Sequence, residues 1–305
     1  MNSRATSFFK SVSLGSSKIQ YPEGVVFLCG GPISRTTGAI TSLRDLMLRH
    51  KDDLFPHSKV ILAEQAAAVF DARIYEDLLQ FERDIASVSR LVMLVSESAG
   101  SIAELGAFSQ ISEIQEKLLV FMHTQFYGEN SFIKNGPLRY LETKNEQSVQ
   151  EFDWKSSRAG NLQKESATRL IEPMTLAIAG FLKKQPRTEK FDRERAGHQI
   201  LLVAGIIYTL RCCRIREIAL AAKTVGVEIP EGEIKKMIFC LKLFGWIRVV
   251  KRETAYYIYD APTAPFIFRG HGSMADFDPI RIRHDILHDY PDDDPRLVIL
   301  DAVLP

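Results

Sequence analysis

The sequence predicts an α/β protein with a doubly wound parallel sheet, followed by a helical linker and a winged helix-turn-helix domain. Short runs rich in Val, Ile and Leu alternate with helical patterns in the first half, and this alternation predicts the sheet. In the second half, two helical patterns and two β-rich runs follow one another in the order of a winged helix. With 305 residues, 46% of them hydrophobic, the chain is long enough for two cores.

Four apolar runs predict the strands of the sheet. The first, GVVFLCGG, ends in the diglycine Gly30-Gly31, and helical spacing follows from Thr37 to Leu48. The other three runs, separated by helical patterns at 75–88 and 101–116, are KVILAE at 59–64, RLVMLVS at 90–96 and KLLVFMH at 117–123. Parallel sheets bind ligands beyond the carboxyl ends of their strands. We therefore expect a ligand site where these four runs end.

Composition shifts predict the domain boundaries. Residues 1–22 form a Ser-rich segment that we expect to be a flexible N-terminal arm, and 23–150 form the α/β domain. Residues 151–196 are polar except for a helical stretch from Thr168 to Leu182, which predicts a helical linker. Residues 197–262 form the winged-helix domain, and 263–305 form a Pro- and Asp-rich C-terminal tail.

Charge and cysteine content exclude several classes of protein. The net charge of +1 provides no global attraction for nucleic acid or membrane, so any such affinity must come from a local patch. The four cysteines show no C-x-x-C spacing, and no apolar run approaches the roughly 20 residues that span a bilayer. The start of the chain lacks an apolar signal-peptide core. We expect a reduced, cytoplasmic protein without a membrane span, and no metal site at His284, His288 or the Asp run 292–294.

The stretch SESAGSIAELGAFS, residues 96–109, has two interpretations. Ser101 and Glu104 fit the S-x-x-E capping box, in which Glu104 only helps to close the first turn of a helix. Alternatively, Gly100 lets a ligand approach the helix N-terminus, and Glu104 stabilises an anomeric carbon during glycosyl transfer. The sequence pattern leaves both open.

The chain resembles retron-associated toxic effectors of the nucleoside-deoxyribosyltransferase-like class, a branch of a Rossmann-like N-glycosidase superfamily. The motifs that carry the resemblance are VFLCGG, the AE after the second strand, SESAGSIAELGAFS and SFIKNGP. The resemblance covers 25–141, and a winged helix also follows in such effectors. It implies that Glu104 is the catalytic carboxylate. It implies a substrate site containing Gly30, Gly31, Glu64, Glu82, Glu97, Gly100, Ser101 and Asn135. Glu82 also fits the solvated face of an amphipathic helix.

The resemblance further implies a toxin of an anti-phage retron that hydrolyses the N-glycosidic bond of a nucleotide, without a cofactor. Deoxyribosyltransferases carry an Asp shortly before the motif glycine, where this chain has Glu97 and Ser98, so hydrolysis is favoured over base transfer. NAD is the leading substrate because its nicotinamide is a cationic pyridinium while bonded to the ribose. Cleavage of that bond releases nicotinamide as a neutral base, with little assistance from an acid. The alternatives are a nucleoside monophosphate or deoxynucleoside, and a transcription regulator that senses a nucleotide without catalysis.

Basic residues predict nucleic-acid binding by the winged helix. Residues 211–260 contain ten Lys and Arg against six Asp and Glu. Lys235 and Lys236 on the second helix, and Lys251 and Arg252 at the wing, are placed to contact phosphates. The alternative is a protein-docking domain. The resemblance implies the retron reverse transcriptase and its branched RNA–DNA as partners, and we expect a homodimer or larger assembly.

Overall fold

The computed structural model describes residues 1–21, 24–34, 38–157, 161–270 and 277–303. The chain divides into two compact units, each built from separate stretches of sequence. The first unit comprises Met1–Pro22, Phe70–Asp84 and Arg187–Pro305. The second unit comprises Glu23–Val69 and Ile85–Pro186.

The second unit is built on a parallel five-stranded sheet, which confirms the predicted α/β fold. From edge to edge the strands are Lys59–Leu62, Val25–Cys29, Leu91–Ser96, Leu118–His123 and Val149–Phe152. In chain order this is 2-1-3-4-5, and the direction of the order reverses between Val25–Cys29 and Leu91–Ser96. Ligands bind at such a switch point in doubly wound sheets. Two turns lie at this switch point: the diglycine follows strand Val25–Cys29, and the Ser96–Ser101 turn follows strand Leu91–Ser96.

The fifth strand, Val149–Phe152, was not expected from the sequence. Its middle residues are Gln150 and Glu151, because it lies at the edge of the sheet and needs less apolar surface than a central strand. The central strands Val25–Cys29 and Leu91–Ser96 are buried along their whole length.

The helix expected in the linker belongs to the core of the second unit. It extends from Lys164 to Lys184, and its buried side chains recur at helical spacing and pack against the sheet. Those in the core are Ala167, Leu170, Met174, Ile178 and Phe181.

Shorter helices complete the second unit. The helix expected from Thr37 begins only at Leu43, because the Ser42 side chain accepts a hydrogen bond from the backbone N–H of Asp45 at 2.9 Å and caps it there; Thr37 itself lies outside the described residues. The helices are Leu43–Arg49, Lys51–Leu54, Ala63–Val69, Ala99–Phe108, Ser112–Gln115, Thr124–Tyr127, the π-helix Lys134–Leu138, Arg139–Lys144 and the 3-10 helix Glu146–Ser148. Helix Leu78–Val88 contains the boundary between the two units.

The N-terminal segment differs from the expected flexible arm. Residues Ser3–Ser11 form a helix whose Phe9 side chain is fully buried and contacts Phe268, with ring centroids 5.8 Å apart. Strand Lys18–Gln20 then pairs antiparallel with Phe266–Ile267 and Thr188–Lys190 in a three-stranded sheet. The sequence did not predict this packing because the buried apolar residues are few and are dispersed among serines.

The rest of the first unit continues with helices and short strands, of which strand Cys212–Cys213 and helices Pro279–His288 and Pro295–Val303 were not expected from the sequence. Its helices and strands are Ala196–Leu210, Cys212–Cys213, Ile215–Thr224, Glu231–Leu243, Ile247–Lys251, Ala255–Tyr259, Pro279–His288 and Pro295–Val303. The strands form an antiparallel sheet in which Ala255–Tyr259 is central. The tail is folded over its described residues, because Ile299 and Leu300 pack on a cluster with Tyr256 and Ile258. Over the described ranges, no helix has both the length and the apolar character needed to cross a bilayer.

Candidate functional sites

Glu104 lies in the second turn of helix Ala99–Phe108, so the capping interpretation is wrong. The N-cap is Ser98, whose side chain accepts the backbone N–H of Ser101 at 3.1 Å. The Ser101 hydroxyl in turn accepts the backbone N–H of Ser98 at 3.0 Å. This capping box places the helix start three residues earlier than the Ser101–Glu104 pattern suggests, and the Glu104 side chain has no part in it.

The Glu104 carboxyl group lies beside the end of the first sheet strand. The Cys29 thiol donates a hydrogen bond to it, and the charges of Arg44 and Glu64 act on it. Its Oε2 atom is buried and has no hydrogen-bond partner among the described residues. Burial raises the pKa of Glu104 to about 7, although the Cys29 hydrogen bond and the Arg44 charge lower it in part and the Glu64 charge raises it. At neutral pH this group exists in both protonation states.

Arg44 is the site residue that the sequence analysis missed. Its side chain is 1% exposed, and its guanidinium forms an ion pair with Glu64, whose side chain is 61% exposed. It also donates to the Leu28 carbonyl at 3.5 Å. One signal could have revealed it, since a charged residue stands on the apolar face of Leu43–Arg49, next to Leu43 and four residues before Leu48.

Glu97 joins the diglycine turn to the helix that carries Arg44. Its two carboxylate oxygens accept the backbone N–H groups of Gly31, Leu43 and Arg44 at 3.1, 2.9 and 3.0 Å. A Cβ atom on Gly31 would lie 2.8 Å from the Glu97 side chain, and one on Gly30, where φ is +155°, would lie 3.0 Å from Arg44. Both glycines are therefore needed for close packing within the protein.

The remaining predicted substrate residues have different surroundings. Gly100 is exposed, and an added Cβ would approach nothing nearer than 3.9 Å, so a ligand can reach this turn. Ser101 is buried in the capping box. Asn135 is exposed, and its amide donates to Asn130 at 2.6 Å, which closes its own loop. Glu82 falls in the first unit and is only 8% exposed, so the solvated-face interpretation is wrong for it.

Two clefts adjoin the turn at Ser96 and Glu97, which line both of them together with Phe126. One cleft, of about 390 Å³, has a wall formed by His123 and Trp154, whose rings meet edge to face at 4.5 Å. The other, of about 300 Å³, is more apolar and is lined by side chains such as Ile102, Met122 and Ile133. Glu104 lines neither cleft.

The four basic residues predicted to bind nucleic acid are not equivalent. Lys235 is exposed on helix Glu231–Leu243, and Lys251 and Arg252 are exposed at the turn between strands Ile247–Lys251 and Ala255–Tyr259. Lys236 forms an ion pair with Glu233 at 2.9 Å, and its side chain is 15% exposed. A hydrogen bond to Glu233 raises the pKa of Lys236. Over the part of the chain that the structure describes, no group of three or more His, Cys, Asp or Glu could hold a metal ion.

Comparison with known proteins identifies relatives of this chain. It is 29% identical over 152 residues to the Escherichia coli protein named "Retron Ec73 putative ribosyltransferase/DNA-binding protein", with 48% of this chain and 47% of the relative covered. It is 30% identical over 131 residues to the Escherichia coli "Retron Ec86 putative ribosyltransferase/DNA-binding protein", with 41% and 39% covered. The matches thus span less than half the length of each relative. The family model described as STM3845 retron effector protein matches residues 40–249. Because that match covers more than half of the chain, the protein belongs to this family of retron effectors.

Proposed function

We propose that this retron effector is a toxin that hydrolyses the N-glycosidic bond of a nucleotide, with Glu104 as the catalytic carboxylate. The observation that carries the proposal is the buried Oε2 atom of Glu104, which has no hydrogen-bond partner among the described residues. A buried polar atom without a partner destabilises a fold, so it is retained where it serves a ligand or a reaction. The helix of Glu104 begins at the switch point of the sheet, where ligands bind.

The chemistry suits a carboxylate. As the bond between C1′ and the base nitrogen breaks, its electron pair leaves with the base and the sugar becomes an oxocarbenium ion. Ionised Glu104 stabilises that cation or bonds to C1′, and a water oxygen then takes its place. With NAD the products are nicotinamide, ADP-ribose and one proton. The printed names of both relatives include ribosyltransferase, which supports chemistry at a ribosyl carbon.

NAD is the proposed substrate because its pyridinium leaves as a neutral base and needs no proton. Nucleoside monophosphates are a second candidate. Their bases must be protonated as they leave, so this substrate requires an acid in the site. Glu104 can supply this acid. With a pKa of about 7 it carries a proton part of the time at neutral pH and can donate it to the base of a nucleoside monophosphate. The sequence alone had offered no such acid.

We further propose that residues 197–262 of the first unit form a winged helix that binds nucleic acid. The order of helices and strands and the exposure of Lys235, Lys251 and Arg252 support this, as does the term DNA-binding in the names of both relatives. The proposed partners are the retron reverse transcriptase and its branched RNA–DNA, in an assembly with at least two copies of this chain. The four cysteines are buried and none is in a disulfide, which fits the proposed reducing cytoplasm.

The test is to incubate the purified protein, alone and with the retron reverse transcriptase complex, with NAD, NADP, nucleoside monophosphates and deoxynucleosides. Chromatography then measures the free base. Release of nicotinamide from NAD supports NAD as the substrate. Release of the free base from a nucleoside monophosphate supports the second candidate instead. If no base appears under any condition, the proposal of catalysis is wrong and the nucleotide-sensing regulator replaces it.

A further inference from the structure

Residues Phe70–Asp84 belong to the first unit, although the stretches that precede and follow them in the chain belong to the second. Within the first unit, this segment packs on helix Glu231–Leu243. The centroid of the Phe239 ring on the helix lies 5.3 Å from that of Phe81 and 6.2 Å from that of Tyr75. The centroids of the Tyr75 and Phe81 rings are 4.8 Å apart. The three rings therefore form one cluster that joins the segment to the helix.

Tyr75 also joins the segment to the helix through its hydroxyl group. The hydroxyl oxygen lies 3.0 Å from the carbonyl oxygen of Lys236 and 2.9 Å from Oδ2 of Asp84, either of which can accept its single proton. The Tyr75 side chain is fully buried. Neighbouring residues of the segment are exposed, namely Ala72, Arg73, Glu76 and Asp77. This part of the segment is therefore held by few buried contacts, which is the condition for local release from a fold.

The segment covers the centre of the outward side of helix Glu231–Leu243. The helix buries its inward side, formed by Ile234, Met237, Ile238 and Leu241. At about 3.6 residues per turn, Phe239 lies on the opposite side. Lys236, three residues before Phe239, has a side chain that is only 15% exposed. In helix-turn-helix domains that read DNA, the outward side of the second helix enters the major groove. The segment therefore occupies the place that DNA would take.

The segment is also acidic. Residues 70–84 contain five Asp and Glu against two Arg, a net charge of −3. Part of this charge acts on the helix. A hydrogen bond to Glu233 raises the pKa of Lys236, and the charges of Glu76 and Asp84 in the segment raise it further. The segment thus presents to this lysine the negative charge that a DNA backbone would present.

We propose that the acidic segment Phe70–Asp84 is an autoinhibitory element, which covers the DNA-reading side of helix Glu231–Leu243 and must leave it before the helix enters a major groove. The inference rests on the proposed nucleic-acid binding by the winged helix. The segment and DNA exclude each other because both need the space in front of Phe239. Lys251 and Arg252 are exposed at the wing and stay available for a first contact with phosphates. The affinity for DNA is reduced to the extent that the segment stays docked.

The first experiment measures duplex DNA binding by the full-length protein with fluorescence anisotropy. Tyr75→Phe keeps the ring and removes the hydroxyl group that holds the segment on Lys236. We expect this variant to bind DNA roughly fivefold more tightly than the wild type, the factor that one net hydrogen bond contributes to an equilibrium. Tyr259→Phe is the matched control. It removes another hydrogen bond from a buried tyrosine to a backbone carbonyl of the same unit, that of Thr263 at 2.8 Å, outside the segment.

The control should bind DNA like the wild type. If Tyr75→Phe and the wild type bind with the same affinity, the segment does not compete with DNA and the proposal is overturned, while nucleic-acid binding by the winged helix stands. An equal gain in Tyr259→Phe also overturns it, because general loosening of the unit then explains the effect. If none of the three proteins binds DNA at any salt concentration, the proposed nucleic-acid binding fails together with the autoinhibition.

The second experiment uses the wild type alone and follows hydrogen exchange by mass spectrometry, with and without saturating duplex DNA. The Tyr75 N–H donates to the Asp71 carbonyl at 3.0 Å, so its exchange reports on the docked turn. We expect DNA to speed exchange several-fold in peptides from 70–84 and to leave helix Ala196–Leu210 unchanged. Unchanged protection of the segment at saturating DNA overturns the proposal, because DNA would then bind while helix Glu231–Leu243 stays covered.

Discussion

The hydroxyl groups of Ser98 and Ser101 lie 3.1 Å apart, and each accepts the backbone N–H of the other residue. This reciprocal pair closes the start of the helix that carries Glu104 without using the Glu104 carboxylate. The residues that cap the helix and the proposed catalytic carboxylate are therefore separate groups in the structure. Variants of the serines test the helix, and variants of Glu104 test the chemistry.

Ser98→Ala should destabilise the second unit by about 1 kcal/mol, because the N–H of Ser101 loses its acceptor. The loss should be the same at pH 6 and pH 8, since no titrating group is removed. Urea unfolding at the two pH values measures it. An unchanged midpoint would show that the capping pair contributes nothing to stability.

Glu104→Gln should act in the opposite direction and depend on pH. The folded pKa of Glu104, about 7, lies above its ordinary value of 4.5, so the folded state loses stability as pH rises between these values. Glutamine has no such ionisation. We expect the variant to be more stable than the wild type at pH 8, by on the order of 1–3 kcal/mol, and the gain to shrink toward pH 5. A variant that is less stable than the wild type at both pH values would contradict this environment for Glu104.

The pH dependence of NAD cleavage should report the same group. If ionised Glu104 stabilises the sugar cation, kcat/KM falls about tenfold per pH unit below pH 7 and is level above it. Initial rates of nicotinamide release from pH 5.5 to 8.5 measure the profile. A rate that instead falls above pH 7 would assign Glu104 as a proton donor.

Glu64→Gln should shift that profile toward lower pH. The charge of Glu64 raises the pKa of Glu104, and its removal also leaves the Arg44 charge free to lower it further. Glu64 is mostly exposed, so the fold should tolerate the change. Glu172→Gln, at an exposed position of helix Lys164–Lys184, is the control and should leave the midpoint unchanged. If both variants keep the wild-type midpoint, Glu64 does not act on Glu104.

Nucleic-acid binding should depend on three of the four basic residues. Replacing Lys235, Lys251 and Arg252 together with Gln should weaken binding to duplex DNA and reduce the slope of log K against log salt by roughly 2 to 3. Lys236→Gln should change the slope little, because Lys236 is paired with Glu233. Anisotropy titrations at several salt concentrations measure both. Equal slopes for the triple variant and the wild type would favour a protein-docking role.

The central strands and the diglycine turn were predictable because local apolar runs and glycines determine them. The role of Arg44 was not, since its contact with Glu64 joins residues 20 positions apart. The local signal was only a charged residue on the apolar face of helix Leu43–Arg49, which does not name its partner. Ser98, Ser101 and Glu104 are three residues apart, so the helix could be capped by Ser98 with Ser101 or by Ser101 with Glu104. Only the packing of the folded chain selects Ser98 with Ser101. The segment 1–22 was expected to be loose because its few buried residues are dispersed among serines.

The central claim is that the charge of Glu104 drives cleavage of a nucleotide. The most direct test is nicotinamide release from NAD by the wild type, Glu104→Gln and Ser101→Ala, each present in the same retron complex and at a temperature where all three are folded. We predict that Glu104→Gln loses about 10² or more in rate, because glutamine cannot supply the negative charge, while Ser101→Ala remains partly active. A Glu104→Gln protein that releases nicotinamide at the wild-type rate would contradict the claim and place the active site elsewhere.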